Sequence, residues 1–198
     1  YYLDEHLFEK YEAHLITNTI YHSHYLSAKA SNDLIKKIFS TLSIYDEKEL
    51  RQVSGFHDKK QPFKNNSQQF FLNIEVILEA IRKHSAITFH YLKYGLNKKL
   101  QSNRSEPYIV KPYAVICSND NIYLIAGSNE RNSIVHFRVE KMKNVELFKT
   151  DQAFPTLSEA PYQYIRNKMK MYQGEEFHYT LKCDKRILDY VIEECGNE

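Results

Sequence analysis

The hydrophobic period of this 198-residue chain changes from helical to strand-like near its middle. Phe70, Ile74 and Ile77 recur at steps of three or four, which is the spacing of one helix face. Shortly afterwards Ile87 and Phe89 alternate with polar residues, which is the period of a strand with one buried side. A helix that leads directly into strands predicts an α+β domain in which the helix packs on a sheet.

Four further strand-like runs follow the first, separated by polar loops. They span residues 108–117, 121–127, 133–139 and 143–148, with loops over 95–106 and 128–132. Five short strands so close together predict a small, strongly bent sheet or barrel. In the second run one row is predicted to contain Val110, Pro112, Ala114 and Ile116. Proline cannot donate to a ladder, so Pro112 favours an edge position or a bulge.

The sequence divides into three predicted segments, covering residues 1–67, 68–150 and 151–198. The first is predicted to be helical, with Ser31 and Asp46 as candidate N-caps and a polar linker over 55–67. The third has helix patterns around a predicted strand over 176–182, which is typical of the start of an α/β module. Because the chain begins without Met, we expect it to be part of a longer protein.

Composition describes an ordinary soluble protein and excludes several classes. Lys and Arg number 27 against 25 Asp and Glu, so net charge alone indicates no partner. Three widely spaced Cys residues favour a reducing, cytoplasmic setting over a disulfide framework. No apolar run approaches the roughly 18 residues needed to span a membrane.

Two basic side chains share one face of the fourth strand. Alternation places Val135, Phe137 and Val139 on the apolar side and leaves His136 beside Arg138 on the other. At about 3.4 Å per residue these two lie roughly 7 Å apart. A guanidinium fork beside an imidazole suits a phosphate or carboxylate, but a plain solvated face would show the same spacing.

Tyrosines on neighbouring strands are predicted to share this face. If the alanine-containing rows form the core, Lys111, Tyr113 and Tyr123 lie on the side of His136 and Arg138. Rings beside cations form a platform on which a base stacks while its phosphate is held. Phenols that only supply packing area would give the same pattern, so spacing leaves both interpretations open.

Catalysis has no positive support in the sequence. His22 and His24 diverge by roughly 200° on a helix, so no metal site is expected. The carboxylates nearest the basic strand, Glu106 and Glu140, have no evident partner. We therefore predict neither an enzyme nor a bound cofactor.

Residues 86–148 resemble the WYL domain of bacterial transcriptional regulators. The resemblance rests on four blocks in the family's order: I-T-F-H-Y, E-P-Y-I-V-K-P-Y-A-V, N-I-Y-L-I-A-G-S and H-F-R-V-E-K-M-K-N-V-E-L. Ile122 stands where the family has Trp, Val139 replaces Leu, and Lys141 occupies its second Arg position. Tyr123, Leu124, Phe137 and Arg138 match the family's pattern.

The resemblance implies a function for these residues. It implies an Sm-like, SH3-type barrel with a leading helix, and homodimers that bind duplex DNA through an N-terminal winged helix-turn-helix outside this chain. It also implies a site for a nucleotide or single-stranded nucleic acid that would be lined here by Tyr91, Tyr113, Tyr123, His136, Arg138 and Lys141. The alternative left open is a docking module that regulates a protein partner, such as a nuclease, without a nucleic-acid ligand.

Overall fold

The computed structural model describes residues 7–54, 69–102, 104–118, 120–166, 180 and 182–195. Within these ranges the helices are α1 (Lys10–His22), α2 (Ala28–Phe39), α3 (Ile44–Val53), α4 (Phe70–Arg82), α5 (Pro161–Arg166) and α6 (Leu188–Cys195). The strands are β1 (Ala86–Tyr94), β2 (Leu100–Ser102), β3 (Tyr108–Ser118), β4 (Asn121–Ser128), β5 (Ser133–Arg138) and β6 (Met142–Phe148). The predicted α+β class is confirmed.

The caps of the N-terminal helices differ from the predicted ones. Ser27 caps α2 and accepts a hydrogen bond from the backbone N–H three residues on, whereas Ser31 is buried inside the helix. Helix-favouring residues between the two serines let the helix begin one turn earlier than predicted. Ser43 caps α3 by accepting from the backbone N–H of Asp46 at 3.1 Å, so Asp46 belongs to the first turn. Both predicted caps are wrong.

Two predicted features fall on residues that the structure does not describe. The polar linker over 55–67 lies outside the described ranges, as does most of the predicted strand over 176–182. The three-segment division stays a prediction. No helix in the described part of the chain is both long and apolar enough to span a membrane.

The sheet is antiparallel and curls around one hydrophobic core. Its main order is β6-β1-β3-β4-β5, and β2 extends the hairpin at the far end of β1. A single 3-10 turn, Val139–Lys141, links β5 to β6. On α4, Ile77 and Ala80 are fully buried in the core that the sheet encloses. The predicted bent sheet with a leading helix is therefore present, as a half-barrel.

The structure contains one strand more than predicted within its described residues. β2 is three residues long and all three of its residues are exposed, so no hydrophobic alternation marks it in the sequence. It forms only because its residues pair with Leu92, Lys93 and Tyr94. The predicted loop over 95–106 is therefore wrong at its centre.

A bulge in β3 inverts the alternation that the sequence predicts. The register shifts between Pro112 and Ala114, which confirms the bulge expected from a proline within a strand. Beyond it Val115 lies opposite the buried Leu124, whereas Ile116 lies opposite Tyr123 on the outer face. The predicted row is therefore wrong beyond Pro112, because one extra residue turns every later side chain over.

Candidate ligand site

β5 carries the alternation that was predicted for it. Val135, Phe137 and the following Val139 are buried in the core, while His136 and Arg138 are half-buried on the opposite side. This pattern places the two basic side chains away from the core. Their surroundings nevertheless differ.

Arg138 is joined to β1 through the hydroxyl of Tyr91. The backbone N–H of Arg138 donates to this hydroxyl at 3.2 Å. The ring of Tyr91 packs edge-on against Phe137, with centroids 5.1 Å apart. Burial is the main cause of a raised pKa at Tyr91, so the phenol stays protonated. Tyr123 lies directly opposite Arg138 in the β4–β5 ladder, which brings three predicted residues together.

Glu140 completes this group and was missed as a functional residue. Arg138 Nε–H donates to Glu140 Oε1, and the Glu140 side chain is only 2% exposed. The 3-10 turn that follows β5 folds the two side chains toward each other, which a continued strand would not ensure. The expectation that Glu140 has no partner is therefore wrong.

Lys141 lies at the same end of the sheet. Its pKa is lowered, first by burial and then by repulsion from Arg138, so the two cations lie within electrostatic reach of each other. Lys141 Nζ stands 6.0 Å from the ring centroid of Tyr94, a contact at the limit of a cation–π interaction. Tyr94 was not predicted, because it ends β1 where the polar loop begins.

Two of the three remaining predicted residues, Tyr113 and His136, lie beneath a strap, which we define as residues 150–166. Tyr113 donates to the carbonyl of Pro155 at 2.7 Å. His136 Nε2 lies 3.0 Å from the hydroxyl of Tyr164 in α5, with the rings edge to face at 5.5 Å. Burial raises the pKa of the Tyr113 phenol. No local pattern could have revealed these contacts, since they join residues 42 and 28 positions apart.

Lys111 lies apart from the residues around Arg138 and borders the first residues of the strap. It pairs with Gly127, which is roughly 13 Å along β4 from Tyr123 at about 3.3 Å per residue. Lys111 lines a cleft of about 320 Å³ together with His84, Lys149 and Asp151. The structure therefore separates Lys111 from the Arg138 side chain.

The structure thus divides the seven predicted residues three ways. Tyr113 and His136 contact the strap, and Lys111 lines the cleft beside the first residues of the strap. The four that remain form a group with Glu140, which was not predicted. This group is named here the cationic cluster and comprises Tyr91, Tyr123, Arg138, Glu140 and Lys141. No group of three or more His, Cys, Asp or Glu side chains in the described ranges could hold a metal ion.

Comparison with protein families identifies the domain that carries the cationic cluster. Residues 73–147 match the family model of the WYL domain. This part of the chain is a WYL domain. It runs from the first turns of α4 to the end of β6 and contains the whole cationic cluster.

Comparisons beyond the WYL domain are distant. Proteasome accessory factor B/C (PafBC) of Arthrobacter aurescens has 15% sequence identity and a TM-score of 0.35 to this chain. The match covers 75% of this chain but only 23% of that protein. A search of curated proteins gives no match.

Proposed function

We propose that this chain is the ligand-sensing region of a transcriptional regulator. Its WYL domain binds a nucleotide or a single-stranded nucleic acid at the cationic cluster. The observation that carries the proposal is the placement of Arg138 and Lys141 beside Tyr123 and Tyr91 at one end of the sheet. Guanidinium and ammonium groups hold phosphate oxygens, and nearby rings offer faces to a base.

The roles within the cluster follow from its contacts. Tyr91 has its ring in the core and its hydroxyl on the Arg138 backbone, so it supports the site instead of stacking on a base. Tyr123 is half-buried, and Tyr94, which lies beside the cluster near Lys141, is 58% exposed, so these two rings are the ones proposed to stack on a base. Lys141 supplies a second positive charge for phosphate.

Sensing requires that the ligand distinguish two states of the protein. In the proposed mechanism the regulator is a homodimer, and a separate domain outside this chain reads duplex DNA. Ligand binding then changes DNA affinity only as far as the ligand favours one dimer state over the other.

Titration with a short oligothymidylate tests the site. We expect Arg138→Ala to weaken binding about tenfold or more, since a charge-assisted hydrogen bond contributes about 1.5–3 kcal/mol. The matched control is Arg131→Ala, because Arg131 is exposed on the turn of the same hairpin. Affinity should also fall as the salt concentration rises, because a phosphate contact releases counterions. Equal binding by both variants would contradict the site. If Arg138→Ala instead disrupts a protein complex and spares the oligonucleotide, the docking alternative holds.

A further inference from the structure

A buried carboxylate lies within a site that is otherwise built for anions. The Glu140 side chain is 2% exposed and sits in the 3-10 turn between β5 and β6. A buried charge is tolerated only when it is paired, and Arg138 pairs with this one. A site that served only to attract negative charge would not bury a carboxylate against its own arginine.

The geometry of the pair leaves part of the guanidinium for a ligand. Glu140 accepts from Nε of Arg138, and this arginine side chain is still 34% exposed. Of the five N–H donors of a guanidinium, the other four lie on its two terminal nitrogens. Glu140 therefore fixes the orientation of the guanidinium by accepting from Nε, and the two terminal nitrogens point away from this contact.

The pair also sets the charge of the cationic cluster. Arg138 and Lys141 contribute +2 and Glu140 contributes −1, which leaves +1 for the three side chains. Lys93 also repels Lys141 but is exposed, so solvent and salt screen its charge. A single phosphodiester, with one negative charge, matches this balance. Once this charge is bound the cluster is neutral overall, so a further negative charge on the same ligand gains no net attraction.

We infer that Glu140 is a specificity-determining residue that positions Arg138 and matches the cationic cluster to ligands with one phosphodiester charge, so that a terminal phosphate or polyphosphate gains no advantage in affinity. This inference rests on the proposed function. It adds that negative charge beyond one phosphodiester does not increase the affinity of a ligand for the site.

Two dinucleotides test the inference on the unmodified 198-residue chain. TpT carries one phosphodiester charge, and its 5′-phosphorylated form, pTpT, adds a terminal phosphate to the same base and sugar framework. We expect NMR titration to show that pTpT binds no more tightly than TpT. A site governed by positive charge alone would bind pTpT more tightly, and that result would overturn the inference.

Glu140→Gln separates charge from shape. Glutamine keeps an oxygen that can accept from Arg138 Nε but removes the negative charge. We take the Glu140 carboxylate and the terminal phosphate of pTpT to lie about 8 Å apart at an effective dielectric constant of about 40. Their Coulomb repulsion then corresponds to roughly a fivefold change in affinity. We expect the ratio of pTpT to TpT affinity to rise by this factor in Glu140→Gln. The matched control is Glu146→Gln, an exposed position on β6, which should leave the ratio unchanged.

The outcomes distinguish the two proposals. If wild type binds TpT and Glu140→Gln leaves the affinity ratio unchanged, the role of Glu140 is overturned while the proposed function stands. If neither dinucleotide nor an oligothymidylate shifts the resonances of the cationic cluster, the proposed function itself fails. If Glu140→Gln does not fold, the affinities of TpT and pTpT for the wild-type chain alone test the inference.

Discussion

The hydroxyl of Tyr91 accepts a hydrogen bond from the backbone N–H of Arg138, so a side chain of β1 takes the place of a ladder partner at the end of β5. β5 has β4 on one side, and the described strands include no ladder between β5 and β6. A phenol from a different strand thus satisfies a donor at the open side of the half-barrel. The same contact fixes the backbone from which the Arg138 side chain projects.

Tyr91→Phe removes the acceptor and leaves the packed ring. We expect the free energy of unfolding to fall by about 1–2 kcal/mol, because a part-buried N–H loses its partner. Urea denaturation measures this change. Tyr94→Phe is the control, since Tyr94 is 58% exposed and should lose almost nothing. Equal losses in both variants would show that the hydrogen bond contributes no stability.

Gly127→Ala tests the contact between the strap and β4. An added Cβ would lie 2.3 Å from the carbonyl oxygen of Pro155 and 3.0 Å from the hydroxyl of Tyr113. Backbone cannot move away as a flexible side chain can, so the strap must shift, at a cost of about 1–3 kcal/mol. Thermal unfolding measures the loss of stability, and the protease sensitivity of residues 150–166 measures the displacement of the strap.

Gly95→Ala is the matched control for this substitution. Its Cβ would also meet an atom at 2.4 Å, but that atom is the terminal amide nitrogen of Gln101, which can rotate away. We expect little change in melting temperature for Gly95→Ala. A loss as large as that of Gly127→Ala would show that the added volume itself, and not the strap, is responsible.

Asn73→Ala tests the link between α4 and the 3-10 turn. The buried Asn73 amide donates to the carbonyl of Met142 at 2.9 Å and lies 3.4 Å from that of Val139. Without the amide a buried carbonyl loses its donor, so we expect a loss of about 1–3 kcal/mol in unfolding free energy. Glu75→Ala, on the exposed side of the same helix, should change it much less. Chemical denaturation of the two variants side by side makes the comparison.

The ammonium group of Lys141 gives a prediction for pH. Its pKa lies below 10.5, first because of burial and then because Arg138 repels it. Between the lowered pKa and 10.5 the folded chain binds fewer protons than the unfolded chain, so the contribution of Lys141 to stability increases as pH rises through this window. Arg138→Ala should raise the pKa of Lys141, and Arg131→Ala should not. NMR titration of the lysine side chain measures both, and an unchanged pKa in Arg138→Ala would refute the coupling.

Local periodicity was sufficient to predict α4, five of the strands and the two faces of β5. These features depend on alternation within one segment, which buried and exposed residues display directly. Pro112 indicates a bulge, but the predicted row continues the same alternation beyond it, so the faces predicted for the later residues of β3 are reversed. A single unpaired residue reverses the faces, and nothing in the hydrophobic pattern of β3 marks that reversal.

The candidate site was predicted in its basic residues but not in its grouping. Tyr123 and Arg138 were expected to share a face, and they lie opposite each other in the ladder. Tyr113 and His136 are held by the strap, whose contacts span long separations in sequence. The pairing of Glu140 with Arg138 is not predicted from the sequence, because it depends on the 3-10 turn and not on the alternation of a strand.

β5 joins the cationic cluster to the strap through residues only two positions apart. Arg138 faces the cluster, and His136 meets Tyr164 of α5. Side chains two positions apart on a strand lie on the same face, so the cationic cluster and the contact with α5 share one short stretch of backbone. A change in the path of β5 would therefore displace both contacts together.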